Sequence, residues 1–157
     1  MKKDWRFSDE NCVCSFRTVG VLIKGDKILV QREKDGVEYA LPGGHIKIGE
    51  TSEESLIREF KEEADADIIC ERLIWVEECF WKWGGKDAHD MAFYYLISLT
   101  NDFDIPDGSF VSHKDNCDVL LGWVTIEEMK KLTIYPSFIK NKIETISDHI
   151  EHFVSFE

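Results

Sequence analysis

One stretch, Gly43 to Ala66 (GGHIKIGETSEESLIREFKEEADA), constrains the fold of this chain more than any other, because its two halves demand different backbones. The glycine-rich lead-in has no helical period, whereas Leu56, Ile57, Phe60 and Ala64 recur as one face of an amphipathic helix. Thr51 reads as the N-cap, and Glu54 three residues later completes a capping box. Seven acidic residues crowd the segment from Glu50 onward, and only Arg58 and Lys61 oppose them. Glu53 and Glu54 are explained by the positive end of the helix dipole, but that benefit is gone beyond the first turn.

Glu59, Glu62 and Glu63 need another cause. At about 100° per residue, Glu62 and Glu63 fall at about −60° and +40° from Glu59, on one arc beside the apolar face. Like charges at these spacings cost a few tenths of a kcal/mol per pair, roughly. A hard divalent cation reverses that sign, since it takes several oxygen ligands close together. A solvated charged face is the plain alternative for the three glutamates alone. The glycines ahead of Glu50 shift the balance, because they let backbone carbonyls approach a metal or ligand closely.

Around this segment the pattern is that of a mixed α/β chain. VGVLI and KILVQ read as strands about the turn KGD, and GVEYA as a short strand stopped by Pro42, Gly43 and Gly44. DIICERLIWVEECFWKW and DMAFYYLISL read as strands with GGKDAHD as the turn, and DVLLGWVTIEEMKKL as a strand and short helix. PSFIKNKIETISDHIEHF has isoleucines at helical spacing, which predicts a C-terminal helix with Pro136 in its first turn. The polar interval Thr100–Asp118 reads as a surface loop.

A length of 157 residues suits one domain over 1–157, with residues 1–13 as a loosely ordered N-terminal extension. The net charge of −12 counts against a nucleic-acid partner, though not against small phosphorylated ligands met through a cation. No apolar run is long enough to cross a membrane, and no signal peptide is expected. Five scattered cysteines fit a reduced, cytoplasmic protein with mostly buried thiols.

Gly44, five residues, Glu50, seven residues, then Arg58-Glu59-Phe60-x-Glu62-Glu63 resembles the Nudix box, the signature of the MutT-like Nudix hydrolases. LPGG before the box, VGVLI-KGDKILVQRE and GWVTIEEMKKL extend the resemblance over most of the chain. It implies an α/β/α sandwich with a mixed β-sheet. It also implies Mg²⁺, with Mn²⁺ as an alternative, held by Glu59, Glu62, Glu63 and the Gly44 carbonyl. Arg58 would pair with Glu50 or Glu59 to hold them in orientation. The chain departs from the box at Asp65, where the family has glycine, and at Ala66, where it has a bulky aliphatic residue. Asp tolerates the left-handed conformation, so Asp65 reads as a poorer helix cap and not as a lost catalytic group.

The implied reaction is attack of water on phosphorus in a nucleoside diphosphate linked to another moiety. Its substrate would be a small-molecule nucleotide, such as a nucleoside triphosphate or a nucleotide sugar. Which glutamate serves as base stays open, as does a homodimer. Glu77, Glu78 and Asp90 are secondary candidates for base or ligand, with exposed strand positions as the plainer reading. Trp81 and Trp83, on one strand face, are candidates for stacking on a base, with Asp90 beside them. Two alternatives remain at this level: a non-catalytic nucleotide sensor, against which all four box glutamates speak, and processing of RNA 5′ ends, against which the acidic balance speaks.

Overall fold

A computed structural model describes residues 1–100, 105–113 and 116–157. In chain order the elements are β1 (Arg6–Ser8), β2 (Cys12–Lys24), β3 (Lys27–Glu33), β4 (Glu38–Ala40), β5 (Gly43–His45), α1 (Ser52–Ala64), β6 (Ile68–Trp83) and β7 (Lys86–Leu99). There follow β8 (Phe110–Ser112), β9 (Val119–Thr125), α2 (Ile126–Met129), β10 (Thr133–Ile134), α3 (Ile139–Lys142) and β11 (Glu151–Phe156).

The strands form one mixed sheet along the path β10-β4-β3-β2-β7-β6-β11, with β1 and β5 added to β2, and β9 to β3. Strand β2 organises it. Its length lets it pair in parallel with β7 from Cys12 to Leu22, and antiparallel with β5 from Arg17 to Val19. Beyond those pairings it turns into β3.

Alternation along the central strands sends neighbouring side chains to two separate cores. Ile28 and Val30 join Val21, Ile74, Trp75 and Met129 on one face. Leu29, between them, joins Leu22, Ile97 and Trp123 on the other. Helix α1 covers the second core with Leu56 and Phe60, whereas α2 and α3 cover the first with Met129 and Ile139. The expected mixed α/β layering is therefore present, with a large sheet and few helical residues. No helix among the described residues is long and apolar enough to cross a membrane.

Several expectations change. Most of the anticipated C-terminal helix is absent. Only Ile139–Lys142 is helical, Pro136 precedes it after a cis peptide bond, and Glu151–Phe156 is a strand parallel to β6. Ile139 and Ile143 are buried, but Ile150 is exposed, so the isoleucine spacing holds for one turn and then stops mattering. From Glu151 onward burial alternates with period two, and the ladder of β6 supplies hydrogen bonds that a lone helix end would lack.

The interval Thr100–Asp118 is not all loop, since β8 pairs with β9 and Ile105 and His113 are buried. Within it, residues 101–104 and 114–115 lie outside the described residues. The N-terminal residues are tied down. Trp5 stacks on Phe16 at 4.0 Å and donates its amide to Ile46 O at 2.8 Å, and β1 pairs with β2. None of the five thiols is fully buried: Cys12, Cys70 and Cys79 are half-buried, and Cys14 and Cys117 are exposed.

Helix α1 starts and stops as its sequence indicates. Glu54 N donates to Thr51 Oγ1 at 3.1 Å, and Thr51 N donates to Glu54 Oε2 at 2.8 Å, closing the capping box. At the other end Asp65 adopts φ 52° and ψ 34°, and its amide donates to Lys61 O at 3.1 Å. Ion pairing with Lys61 at 3.1 Å, between exposed side chains, offsets little of the left-handed strain. Asp65→Gly is therefore expected to gain about 1 kcal/mol, or roughly 2–4 °C in melting temperature, with turnover unchanged. A lower melting temperature, or a large loss of turnover, would contradict the cap reading.

Candidate functional site

The box residues are brought together by one guanidinium. Arg58 Nε donates to Glu50 Oε2 at 3.0 Å, and Arg58 Nη1 donates to Glu59 Oε1 at 2.9 Å and to Glu62 Oε2 at 3.2 Å. Arg58 Nη2 donates to the carbonyl of His45 at 3.3 Å, which ties the helix to β5. Glu50 is held a second time by the Ser55 hydroxyl at 2.7 Å. Burial alone would raise the Glu50 carboxyl, but hydrogen bonds from Ser55 and Arg58, with Lys2 nearby, pull it below its usual value. Charge balance and orientation are thus the same contact.

Gly44 faces Glu59 so closely that a Cβ there would lie 2.3 Å from the Glu59 carboxyl carbon. The β5–β2 pairing and the helix α1 pressed onto it set that approach. Glu63 takes a different partner, His113 Nε2 at 3.1 Å, in the segment between β8 and β9. Glu50, Glu59 and Glu63 are mostly enclosed, whereas Glu62 is about half exposed. Ile57, expected on the apolar face, is exposed instead, and Ser55 takes an inward place. As they stand, no three His, Cys, Asp or Glu side chains among the described residues are close enough to hold a metal ion.

A cavity of about 600 Å³ opens next to these groups, and Arg17, Tyr39, Gly43, Glu77, Trp81 and Asp90 contribute to its lining. Consecutive residues of β5 thus serve both features, with Gly43 at the cavity and Gly44 against Glu59. Asp90 accepts hydrogen bonds from the Ser15 hydroxyl at 2.6 Å and from Trp81 Nε1 at 2.9 Å, which fixes the indole at the cavity wall.

Trp83 does not line the cavity. It is exposed, with the Arg6 guanidinium 5.2 Å from its ring centre. Glu77 and Asp90 are buried, not exposed strand positions, while Glu78 faces out and pairs with His152 at 2.8 Å. The period of two already puts Glu77 on the same strand face as Trp75, Cys79 and Trp81, so its burial had a signal in the sequence. Arg17, whose Nη1 lies 3.3 Å from His45 Nε2, and His113 carried no such signal.

Residues 15–142 match the NUDIX domain family. An ADP-ribose pyrophosphatase of Methanocaldococcus jannaschii is 45% identical over 47 residues, which are 28% of this chain and 28% of that protein. The chain therefore matches under a third of that relative's length. Among solved structures, the MutT protein of Bacillus halodurans superposes with a TM-score of 0.67 at 16% identity, covering 90% of this chain and 89% of its own. A UDP-X diphosphatase superposes with a TM-score of 0.59 at 18% identity, covering 88% of this chain and 66% of its own. At these identities the two structural likenesses establish the fold.

Proposed function

The chain belongs to the NUDIX domain family, and from that premise we propose that it hydrolyses a phosphoric anhydride bond in a nucleoside diphosphate linked to a further group. The observation that carries this reading is the gathering of Glu50, Glu59 and Glu62 on Arg58 beside Gly44, with a cavity bounded by the same short strand. The names of two relatives, a UDP-X diphosphatase and an ADP-ribose pyrophosphatase, describe substrates of that kind.

Glu59, Glu62, Glu63 and the Gly44 carbonyl would hold Mg²⁺ or Mn²⁺. The donor chemistry suits such an ion, since all four offer hard oxygen atoms, and the missing side chain at Gly44 leaves the Glu59 carboxylate room to lie against the β5 backbone. When bound, the ion neutralises anhydride charge and polarises the phosphoryl oxygens.

The chain's own groups do the positioning. Glu50, held ionised by Ser55 and Arg58, anchors the guanidinium, and the guanidinium in turn fixes Glu59 and Glu62. Arg17, at the cavity and beside β5, places a positive charge where a diphosphate entering from the cavity would pass. Phosphoryl transfer draws on such placement and charge neutralisation more than on covalent chemistry.

A panel of nucleoside triphosphates, nucleotide sugars and dinucleotides, incubated with Mg²⁺ and resolved by product, tests the reading. Pyrophosphate release identifies a triphosphate substrate, and paired monophosphates identify a diphosphate-linked one. Hydrolysis of no member of the panel overturns it.

A further inference from the structure

Strand β5 divides its three residues between the two sides of the sheet. Gly44 pairs with Thr18 and meets Glu59 on the helix side, so period two sends Gly43 and His45 to the other side, with Val19 and Arg17. His45 lies directly across the ladder from Arg17, and its Nε2 is 3.3 Å from Arg17 Nη1. The backbone carbonyl of His45 accepts from Arg58 Nη2, also at 3.3 Å. One residue thus touches both the guanidinium that gathers the box carboxylates and the guanidinium that lines the cavity.

Arg17 has no anion among the described residues. It is half-buried in a chain of net charge −12, yet His45 is the partner its side chain takes there, and no carboxylate forms an ion pair with it. The other two cations of the cavity lining are engaged elsewhere. Arg32 donates to the carbonyls of Glu33 and Lys34, and Lys82 pairs with Asp87.

A guanidinium only donates, so the ring nitrogen of His45 is the acceptor in this contact. Nδ1 then carries the ring proton, and Asp4 Oδ2 at 3.7 Å favours that tautomer. A carboxylate in place of the ring would orient Arg17 and also cancel its charge, whereas the ring nitrogen orients it and leaves the charge intact. The other N–H donors of Arg17 stand ready at the cavity, in the planar fork that matches two oxygens of a phosphoryl group.

We propose that His45 is a positioning residue for the substrate's diphosphate: its Nε2 holds the Arg17 guanidinium, charged and aimed, to donate to non-bridging phosphoryl oxygens. The inference rests on the proposed hydrolysis of a diphosphate-linked nucleotide, and it adds the residue that makes Arg17 competent there.

Methylenediphosphonate joins its two phosphoryl groups through carbon, so it presents a diphosphate that the protein does not cleave. The test titrates it by calorimetry into the full chain, with the same Mg²⁺ concentration in both solutions. Gln at position 45 offers an amide oxygen at about the reach of Nε2, whereas Phe keeps the ring and offers no acceptor. The native chain is expected to bind the probe, His45→Gln to bind it within about threefold, and His45→Phe and Arg17→Met each to bind it roughly tenfold more weakly or worse. The double variant His45→Phe/Arg17→Met should bind within about threefold of Arg17→Met alone, because His45 acts through Arg17. Mg²⁺ alone should bind His45→Phe as it binds the native chain.

Native-like affinity in His45→Phe or in Arg17→Met overturns the proposal, as does an equal loss in His45→Gln and His45→Phe. Losses that multiply in the double variant would show that His45 acts independently of Arg17, and weakened Mg²⁺ binding in His45→Phe would place its effect on the box carboxylates; either result overturns it. So does a native chain that does not bind the probe. Should His45→Phe fail to melt cooperatively, His45→Leu takes its place in the same comparisons. Because no bond is cleaved in this assay, its failure leaves the hydrolytic reading standing. Failure of the Mg²⁺ nucleotide panel likewise leaves the diphosphate contact standing.

Discussion

Glu62→Gln and Glu63→Gln are each expected to lower Mg²⁺-dependent turnover by roughly a hundredfold or more while leaving the melting temperature nearly unchanged. The two halves of this expectation have separate causes. Gln keeps the volume of Glu and one acceptor oxygen but gives up the charge on which a hard cation depends. The fold barely registers the change, because Glu62 contributes a half-exposed ion pair with Arg58, worth about 0–1 kcal/mol.

Glu63 is more enclosed, and its His113 contact can be kept by an amide oxygen accepting from the ring N–H. Turnover against Mg²⁺ concentration, with thermal melts of the same preparations, separates the outcomes. If both variants hydrolyse the native substrate at the native rate, the glutamates do not form a metal site. If both lose turnover together with cooperative melting, their role is structural.

The sequence made this site legible for a physical reason. A capped helix sets angular positions, so the shared arc of Glu59, Glu62 and Glu63 follows from spacing alone, and Thr51, Glu54 and Asp65 behave as the caps they resemble. The pairing of Gly44 with Glu59 was legible only through family resemblance, because it joins a strand to a helix across the fold. What spacing did not reveal is where the other carboxyls end up. Glu77 and Glu78 are neighbours on β6, yet one is buried against Tyr94 and the other meets His152 outside.

That choice is made by the sheet face, and the sheet face is set by non-local pairing with β7 and β11. The C-terminal segment failed for the same reason. Its isoleucines follow helical spacing, but the ladder offered by β6 decides the conformation of Glu151–Phe156. His113 lies outside any periodic segment, and only tertiary contact brings it to Glu63.

Gly43→Ala and Gly44→Ala, one residue apart, are expected to fail in opposite assays. Neither glycine has a positive φ, so alanine meets no backbone strain at either position; what matters is the neighbour the new methyl group strikes. At Gly43 a Cβ would lie 2.1 Å from the carbonyl oxygen of Thr18 and 2.9 Å from the Cα of Val19. Both are backbone atoms of β2, and they can retreat only by parting the β5–β2 pairing. Gly43→Ala should therefore cost about 3 kcal/mol, or roughly 10 °C in melting temperature.

At Gly44 the nearest atoms are the Glu59 carboxyl carbon at 2.3 Å and its oxygens at 2.5 and 2.6 Å. These are the far end of a flexible side chain, so the fold yields there at little cost. The carboxylate that yields is one that Arg58 holds in place, and moving it withdraws a ligand from the proposed metal site. Gly44→Ala should melt within a few degrees of the native chain, about 1 kcal/mol or less in stability, yet turn over roughly a hundredfold more slowly. Full turnover in Gly44→Ala would separate Glu59 from the chemistry. A melting temperature as low as that of Gly43→Ala would show instead that β5 as a whole, and not the carboxylate behind it, sets the limit at both glycines.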